Sequence, residues 1–385
     1  MQQSSTTYDT HLERRRGGPA SRQREESTAE TRIPWYSVCS TWPLSALVWD
    51  TSDRMSTTPT ETSDPSIEVS IGIAHRNNYA LLRNCVESIV DSTQGVSYEI
   101  IVVDNASTDG SAEAVVREFP RVRVIRNDIP RGYGASNNQA FAESTGRNFL
   151  VLNNDTLFKP RVLETLTEYL RDDTSIGCVG CRILNPDGSL QHSCSRRINI
   201  WTQFFDDLVP ANLLAPRSKF RLRLYHWNHD EEREVNVVLG AFMLFPRRVF
   251  EQIGGFDEDF EFFAEEFDIC ERVCAAGYSV RFSPRASIVH LGGQTMEAEP
   301  IKHYITRQQS RQTYFKKHHS AFQALLFRCS AFVGVCLRLV GWSVAGIVAR
   351  RRREDAKRMV AQYASVLPQI LPWSRAWRSS SNHLP

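Results

Sequence analysis

The sequence predicts an α/β fold: a largely parallel sheet covered by helices, followed by a helical C-terminal segment. Three observations carry that expectation. From residue 67 short apolar runs alternate with amphipathic stretches, polar residues collect where the apolar runs end, and after residue 315 apolar residues recur at helical spacing. Glu68-Val-Ser-Ile-Gly-Ile-Ala74 alternates as a strand does, and 79–90 sets Leu81, Leu82, Cys85, Ile89 and Val90 at helical spacing. The pattern repeats as a strand over 98–104, a helix over 111–119, a strand over 122–125, a helix over 133–144 and a strand over 149–153. Strands that alternate with helices pair in parallel, because each return to the same edge needs a crossover.

Composition bounds the function. The 385 residues are 41% hydrophobic and 23% charged, which excludes collagen-like, wholly disordered and polytopic membrane chains. Lys and Arg number 46 against 44 Asp and Glu, so a net charge of +2 gives no global field to attract nucleic acid. Nine cysteines without a dense framework, and no apolar leader, point to reduced thiols and a cytoplasmic protein. Cys178 and Cys181 stand in an apolar stretch and read as buried strand thiols; Cys270 and Cys274, one turn apart, read as a packed helix face. Residues 1–66 are rich in Ser, Thr and Arg and read as a disordered extension, with Met55 a candidate alternative start.

In parallel sheets ligands gather beyond the carboxyl ends of the strands. The first strand runs into Ala74-His-Arg-Asn-Asn78, the second into Asp104-Asn-Ala-Ser-Thr-Asp-Gly110, and the fourth into Asn153-Asn-Asp-Thr156. Asp104 can accept from a base or a ribose hydroxyl, or cap its own turn; Asn105 and Ser107 could hold that turn without it. Asp109 reads as the cap of the helix near Ser111. Asp155 can hold Mg²⁺ or Mn²⁺ between phosphates, or close an Asx turn. The segment 254–272 sets many carboxylates among aromatics, surroundings that raise carboxyl pKa values and suit a general base. There Glu265 and Glu266 open a helix, a placement the macrodipole favours with or without chemistry, and Asp268–Arg272 reads as a structural pair. His290 ends an apolar run before two glycines, as a structural residue or as a second ligand for the ion at Asp155.

Taken in order, these pieces resemble the inverting family 2 glycosyltransferases of GT-A fold, in the rhamnosyltransferase-like branch, over residues 67 to 315. The matching pieces are Val69-Ser-Ile-Gly-Ile-Ala-His-Arg-Asn77, Glu99-Ile-Ile-Val-Val-Asp-Asn-Ala-Ser-Thr-Asp-Gly-Ser111, Arg131-Gly-Tyr-Gly-Ala-Ser-Asn-Asn138, Leu152-Asn-Asn-Asp155, Leu239-Gly-Ala-Phe-Met-Leu-Phe245, Gly254-Gly-Phe-Asp257, Glu265-Glu-Phe-Asp-Ile-Cys-Glu-Arg272 and His290-Leu-Gly-Gly293. The resemblance implies a Rossmann-like, mixed and mainly parallel sheet, with a nucleotide-sugar half over 67–156 and an acceptor half over 157–318. It implies that Ala74, Arg76, Asp104 and Asn137 line the nucleoside pocket. Asn153, Asp155 and His290 fall on metal-side positions for Mg²⁺ or Mn²⁺, and Glu266, with Glu265 in reserve, on the general base. The partners it implies are a nucleotide-sugar donor, with rhamnose or a similar hexose as the sugar, and a glycan or polyprenyl-linked glycan acceptor. Three positions depart from the family pattern: His75-Arg76 for the commoner Thr-Tyr, Asn153 for an acid, and Glu266 for Asp. They leave a non-catalytic glycan- or nucleotide-binding relative as the alternative.

Trp201, Phe204, Phe205, Tyr225, His226 and Trp227 suit stacking on sugar rings or a surface loop with half-buried aromatics. In the segment 319–385, Arg338 divides two uncharged runs, 329–337 and 339–349, and Arg350-Arg-Arg-Arg353 follows. That pattern fits a helix lying at an anionic membrane surface, on the inner face, or a packing helix of a soluble domain.

Overall fold

The computed structural model describes residues 67–208, 225, 227–292, 300–348, 351 and 353–374. The extension expected over 1–66, with its alternative start, lies outside the described residues, as do His226, Arg350 and Arg352.

The first half follows the alternation. Strands β1 (Val69–His75), β2 (Tyr98–Asn105), β3 (Val122–Asn127) and β4 (Asn148–Asn153) pair in parallel in the order β3-β2-β1-β4. Helices α1 (Tyr79–Ser92), α2 (Ser111–Glu118) and α3 (Tyr133–Ala142) make the crossovers. All four strands end at one edge, where Ala74 pairs with Val103 and Asn153, and His75 with Asp104.

The second half adds antiparallel character. It comprises β5 (Thr156–Phe158), α4 (Val162–Asp172), β6 (Ile176–Leu184), β7 (Leu190–Gln191), β8 (Cys194–Ser195), α5 (Ile200–Leu208), β9 (Arg233–Glu234), β10 (Val237–Val238), β11 (Phe242–Pro246), α6 (Arg247–Gln252), α7 (Glu265–Ala275) and β12 (Ser279–His290). β11 inserts antiparallel between β4 and β6, β12 runs parallel to β6, and β5 closes the path on β12. The last pairing sets His290 opposite Thr156, beside Asp155. Helices α8 (Pro300–His318), α9 (Ala321–Val348) and α10 (Arg353–Ile370) complete the chain.

Side-chain alternation along each strand makes two cores. In β4, Phe149 and Val151 face one layer, and Leu150 and Leu152 the other; Ile101 and Val103 of β2, and Met243 and Phe245 of β11, follow the same division. One layer packs α1 and α4 through Leu82, Val86, Ile89 and Leu166. The other packs α6 and α7 through Phe250, Ile269, Cys270 and Val273. Cys178 and Cys181 are buried strand residues and Cys270 faces the core, as the sequence suggests. The C-terminal helices share a unit with the sheet domain, since residues 61–385 cluster together.

Candidate active site

The strand-end loops are cross-bonded before any ligand is considered. His75 is 1% exposed; its Nε2 lies 2.9 Å from Ser111 Oγ and its Nδ1 2.8 Å from Asn154 Nδ2. Burial lowers its pKa against the pull of Asp104 and Asp109, so the ring is a neutral strut joining β1 to α2 and to the β4 turn. Asn77 N–H donates to Ser107 Oγ at 2.8 Å, and Asn77 Oδ1 accepts from Thr108 N–H at 2.9 Å. Asn77, Asn78 and Ala106 all hold left-handed backbone in these turns. Gly110 takes the cap position of α2, while Asp109 accepts from Ser111 N–H at 3.1 Å and from Tyr79 N–H at 3.3 Å. Asp109 is therefore not the N-cap expected from the sequence but the residue before it, its carboxylate bridging the first N–H groups of α2 and α1.

Two residues expected to contact the nucleoside also make bonds within the protein. The Asp104 carboxylate is 4% exposed and accepts from both the hydroxyl and the N–H of Ser107, so it does hold the turn that Asn105 and Ser107 were expected to manage without it. Asn105 is occupied elsewhere: it donates to Ser136 Oγ at 2.8 Å and accepts from Asn127 Nδ2 at 2.9 Å. Asn137 is fully buried on the inner side of α3 and donates to the Tyr133 carbonyl four residues back, at 2.9 Å. Its Oδ1 is buried without a hydrogen-bond partner among the described residues. Ala74 is half-buried and Arg76 exposed at the same edge, both open to a ligand.

Asn153, Asp155 and His290 do converge. His290 Nε2 stands 3.1 Å from Asp155 Oδ1 and 3.4 Å from Asn153 Nδ2. On the other side of the ring, His290 Nδ1 lies 2.7 Å from Gln191 Oε1, an acceptor, so Nδ1 is placed to donate there while Nε2 is turned toward Asp155. Gln191 is held in turn, donating to Asn185 Oδ1 at 3.1 Å. Asp155 Oδ1 is buried without a hydrogen-bond partner among the described residues. Carboxylate and imidazole are both donors that divalent cations accept, so Asp155 and His290 fit one as a two-residue N/O set, with no third His, Cys, Asp or Glu beside them among the described residues. Nothing in the sequence marked Gln191, which sits on a two-residue strand at the end of β6.

The acid pair opens α7. Phe263 and Ala264 precede it with φ of 72° and 66°, two successive left-handed residues without glycine, a strained approach of the kind stored at functional sites. Glu265 is 7% exposed and its Oε2 has no hydrogen-bond partner among the described residues. Burial, then the neighbouring Glu266, pushes its carboxyl well above the usual range. Glu266 is half-buried and reaches the surface. The hydroxyl of Tyr133 joins the two regions: it donates to the Gly240 carbonyl at 2.7 Å, and its pKa is raised by burial and then by Glu265, Glu266 and Asp155. Tyr133 lies in the Arg-Gly-Tyr-Gly motif and was missed as an individual residue.

The acidic loop before α7 is clamped. Asn138 Oδ1 accepts from Phe256 N–H and its Nδ2 donates to the Phe256 carbonyl, both at 2.8 Å. Gly255 has φ +69°, and a Cβ there would stand 2.6 Å from Asn138 Oδ1, which excludes any side chain. Arg272 donates to the carbonyls of Ile253 at 2.6 Å and Gly255 at 2.7 Å while paired with Asp268 at 2.7 Å. Asp268 meets His318 of α8 at 2.7 Å, Lys317 pairs with Asp257 and Asp259, and Ser310 Oγ donates to the Phe262 carbonyl at 2.7 Å. The Asp268–Arg272 pair is thus structural, as its spacing suggested. Of the aromatics proposed for sugar stacking, Trp227 is stacked 3.9 Å from His229 and covered by Arg233, so it belongs to the packing; Trp201, Phe204 and Phe205 are exposed.

Residues 70–254 match the family model Glycosyl transferase family 2. The chain carries a family 2 glycosyltransferase domain. Residues 229–347 also match the model Glycosyl transferase family 21. Among curated proteins, this chain is 31% identical over 236 residues to an uncharacterised protein of Sinorhizobium fredii, covering 58% of this chain and 24% of that one. It is 26% identical over 241 residues to the N-acetylglucosaminyl-diphospho-decaprenol L-rhamnosyltransferase of Mycobacterium tuberculosis, covering 58% of this chain and 76% of that one. Its match therefore spans about a quarter of one relative and three quarters of the other. Among solved structures, GalNAc-T7 with UDP, GalNAc and Mn²⁺ superposes with a TM-score of 0.50 at 17% identity, covering 65% of this chain and 48% of that chain. That likeness shows the GT-A fold, which the sequence resemblance implied.

Proposed function

We propose that the chain moves a sugar from a nucleoside diphosphate donor to a hydroxyl of a glycan acceptor, with inversion at the anomeric carbon and assistance from Mg²⁺ or Mn²⁺. The observation that carries this reading is the His290–Asp155 pair at 3.1 Å, its imidazole ring held on the far side by Gln191, at the strand edge whose neighbour Tyr133 feels both glutamates of α7. Mn²⁺ accompanies UDP in the GalNAc-T7 structure, and the name of the mycobacterial relative specifies rhamnosyl transfer to a decaprenol-linked sugar. Both support a nucleotide-sugar donor here, with rhamnose or a similar hexose and a lipid-linked glycan as the specific pair.

Each side chain has a stated task. Asp155, His290 and Asn153 would hold the cation, which when bound supplies positive charge to the departing diphosphate. Glu266, half-buried at the start of α7, takes the proton from the acceptor hydroxyl as its oxygen attacks the anomeric carbon. The new C–O bond forms as the bond to the diphosphate oxygen breaks, and a single displacement inverts the carbon. Glu265 is buried and, with its carboxyl raised by burial and by Glu266, is the less exposed of the two acids, which leaves its neighbour as the base. Ala74 and Arg76, open at the end of β1, border the nucleoside.

The test is transfer to a synthetic prenyl-diphosphate-linked N-acetylglucosamine acceptor with a panel of nucleotide sugars and Mn²⁺, reading the anomeric configuration by NMR. An inverted linkage from one donor supports the reading. A retained configuration would remove the single-displacement mechanism, and donor binding without turnover across the panel would favour the non-catalytic alternative.

A further inference from the structure

We infer that the outward face of α9, continued by Trp201 and Phe204 of α5, docks on an anionic lipid bilayer, with α9 lying along the interface rather than crossing it. The inference deepens the reading above by naming the surface that brings the domain to a lipid-linked acceptor.

Helix α9 has 28 residues, a rod of about 42 Å. It is long and apolar enough to cross a membrane. Its packing indicates another placement. Nine of the seventeen large apolar side chains exposed among the described residues belong to it, and Phe322, Leu326, Val333, Leu337, Val340 and Val344 recur every three to seven residues along one side. The opposite side is bound to the protein by Ala324, Phe327, Ala331 and Val335, all buried.

Both charged residues of α9 are turned away from the stripe. Arg328 donates to the Pro372 carbonyl at 3.2 Å and Arg338 to the Asp207 carbonyl at 2.8 Å. Asp207, 2% exposed on α5, gathers Gln203 at 2.8 Å, Ser330 at 3.2 Å and Gln308 of α8 at 3.3 Å on its carboxylate. A Cβ on Gly334 would stand 2.8 Å from the Asp207 carbonyl oxygen, so α9 and the end of α5 touch backbone to backbone. This buried polar cluster fixes α9 lengthwise on the domain; crossing a bilayer would expose it to hydrocarbon.

The stripe runs into a groove of about 320 Å³ between α5 and α9, walled by Trp201, Phe204, Leu326, Cys329 and Val333. At its other end Ile347, 80% exposed, is followed by exposed Arg351 and Arg353, in a sequence that reads Arg350-Arg-Arg-Arg353, and α9 itself has no acidic residue. An apolar stripe that ends in a basic cluster complements an acyl layer beneath anionic headgroups. One helix separates this face from the acidic loop, since α8 holds Phe262 through Ser310 and α5 through Gln308.

The test is flotation of the full chain with vesicles of phosphatidylglycerol and phosphatidylcholine against phosphatidylcholine alone. The expected result is binding to the anionic vesicles that falls with added salt, and a loss of about tenfold on substituting Val340→Glu and Ile347→Glu together, with nucleoside-diphosphate release from free donor unchanged. The proposal is overturned if the chain stays with the soluble fraction, if it binds neutral vesicles equally, or if it forms a dimer that the same substitutions dissociate. Vesicle binding without glycosyl transfer would leave the docking face standing and remove the transferase reading; transfer to a short-chain acceptor without vesicle binding would do the reverse.

Discussion

At the scale of single residues, the site is decided by hydrogen bonds that leave particular atoms unsatisfied. Gln191 Oε1 holds the Nδ1 side of His290, which turns Nε2 toward Asp155 Oδ1 at 3.1 Å. Gln191→Leu is expected to weaken Mn²⁺ binding by about 10–100-fold, measured by titration calorimetry on the free protein, with the fold retained. Glu266→Gln is expected to lower turnover by about 10²–10⁴-fold while donor binding stays intact. Asp104 and Asn137 have the chemistry of ligand contacts and also local partners: Asp104 accepts from Ser107, and Asn137 donates to the Tyr133 carbonyl while its Oδ1 has no hydrogen-bond partner among the described residues. A polar residue after a strand looks the same in sequence whether its partner is local or a ligand. Gln191 was invisible for the converse reason: its partner lies 99 residues away.

At the scale of elements, α7 carries the acid pair and is aimed by what grips it. Asp268, one turn into the helix, is opposed by burial but held below its ordinary pKa by His318 and Arg272. A depressed carboxyl stabilises the fold above its unfolded pKa and loses that contribution as pH falls through the folded value. Asp268→Asn should therefore cost about 3–5 kcal/mol near neutrality and flatten the loss of stability below about pH 4, read by denaturant titration at several pH values. Glu265 has the opposite sign: its raised pKa costs stability as pH rises above the ordinary carboxyl value, so Glu265→Gln should raise the melting temperature at neutral pH. The elements themselves were legible because apolar period switches between 2 and 3.6 at nearly every boundary of the first half. The strands β7 to β10 were not, since two-residue strands carry no period.

At the scale of the whole molecule, the C-terminal helices are tied to the sheet domain by the Asp207 cluster. The sequence marks Arg338 as a break between two apolar runs, but the fold turns it inward and makes the outer stripe continuous. Rotation about a helix axis is not readable from one charge. Gly334→Leu, which would push a side chain into the Asp207 carbonyl, should lower stability by about 1–3 kcal/mol in thermal denaturation.

The central claim is that the Asp155–His290 pair and Glu266 form one metal-assisted transfer site. It is tested most directly by nucleoside-diphosphate release from a nucleotide-sugar panel with and without Mn²⁺, comparing wild type with Asp155→Ala and Glu266→Gln. The account predicts release from one donor that requires the cation and is lost in both variants, with donor binding kept in Glu266→Gln. Release that persists without a cation, or in Asp155→Ala, would contradict it.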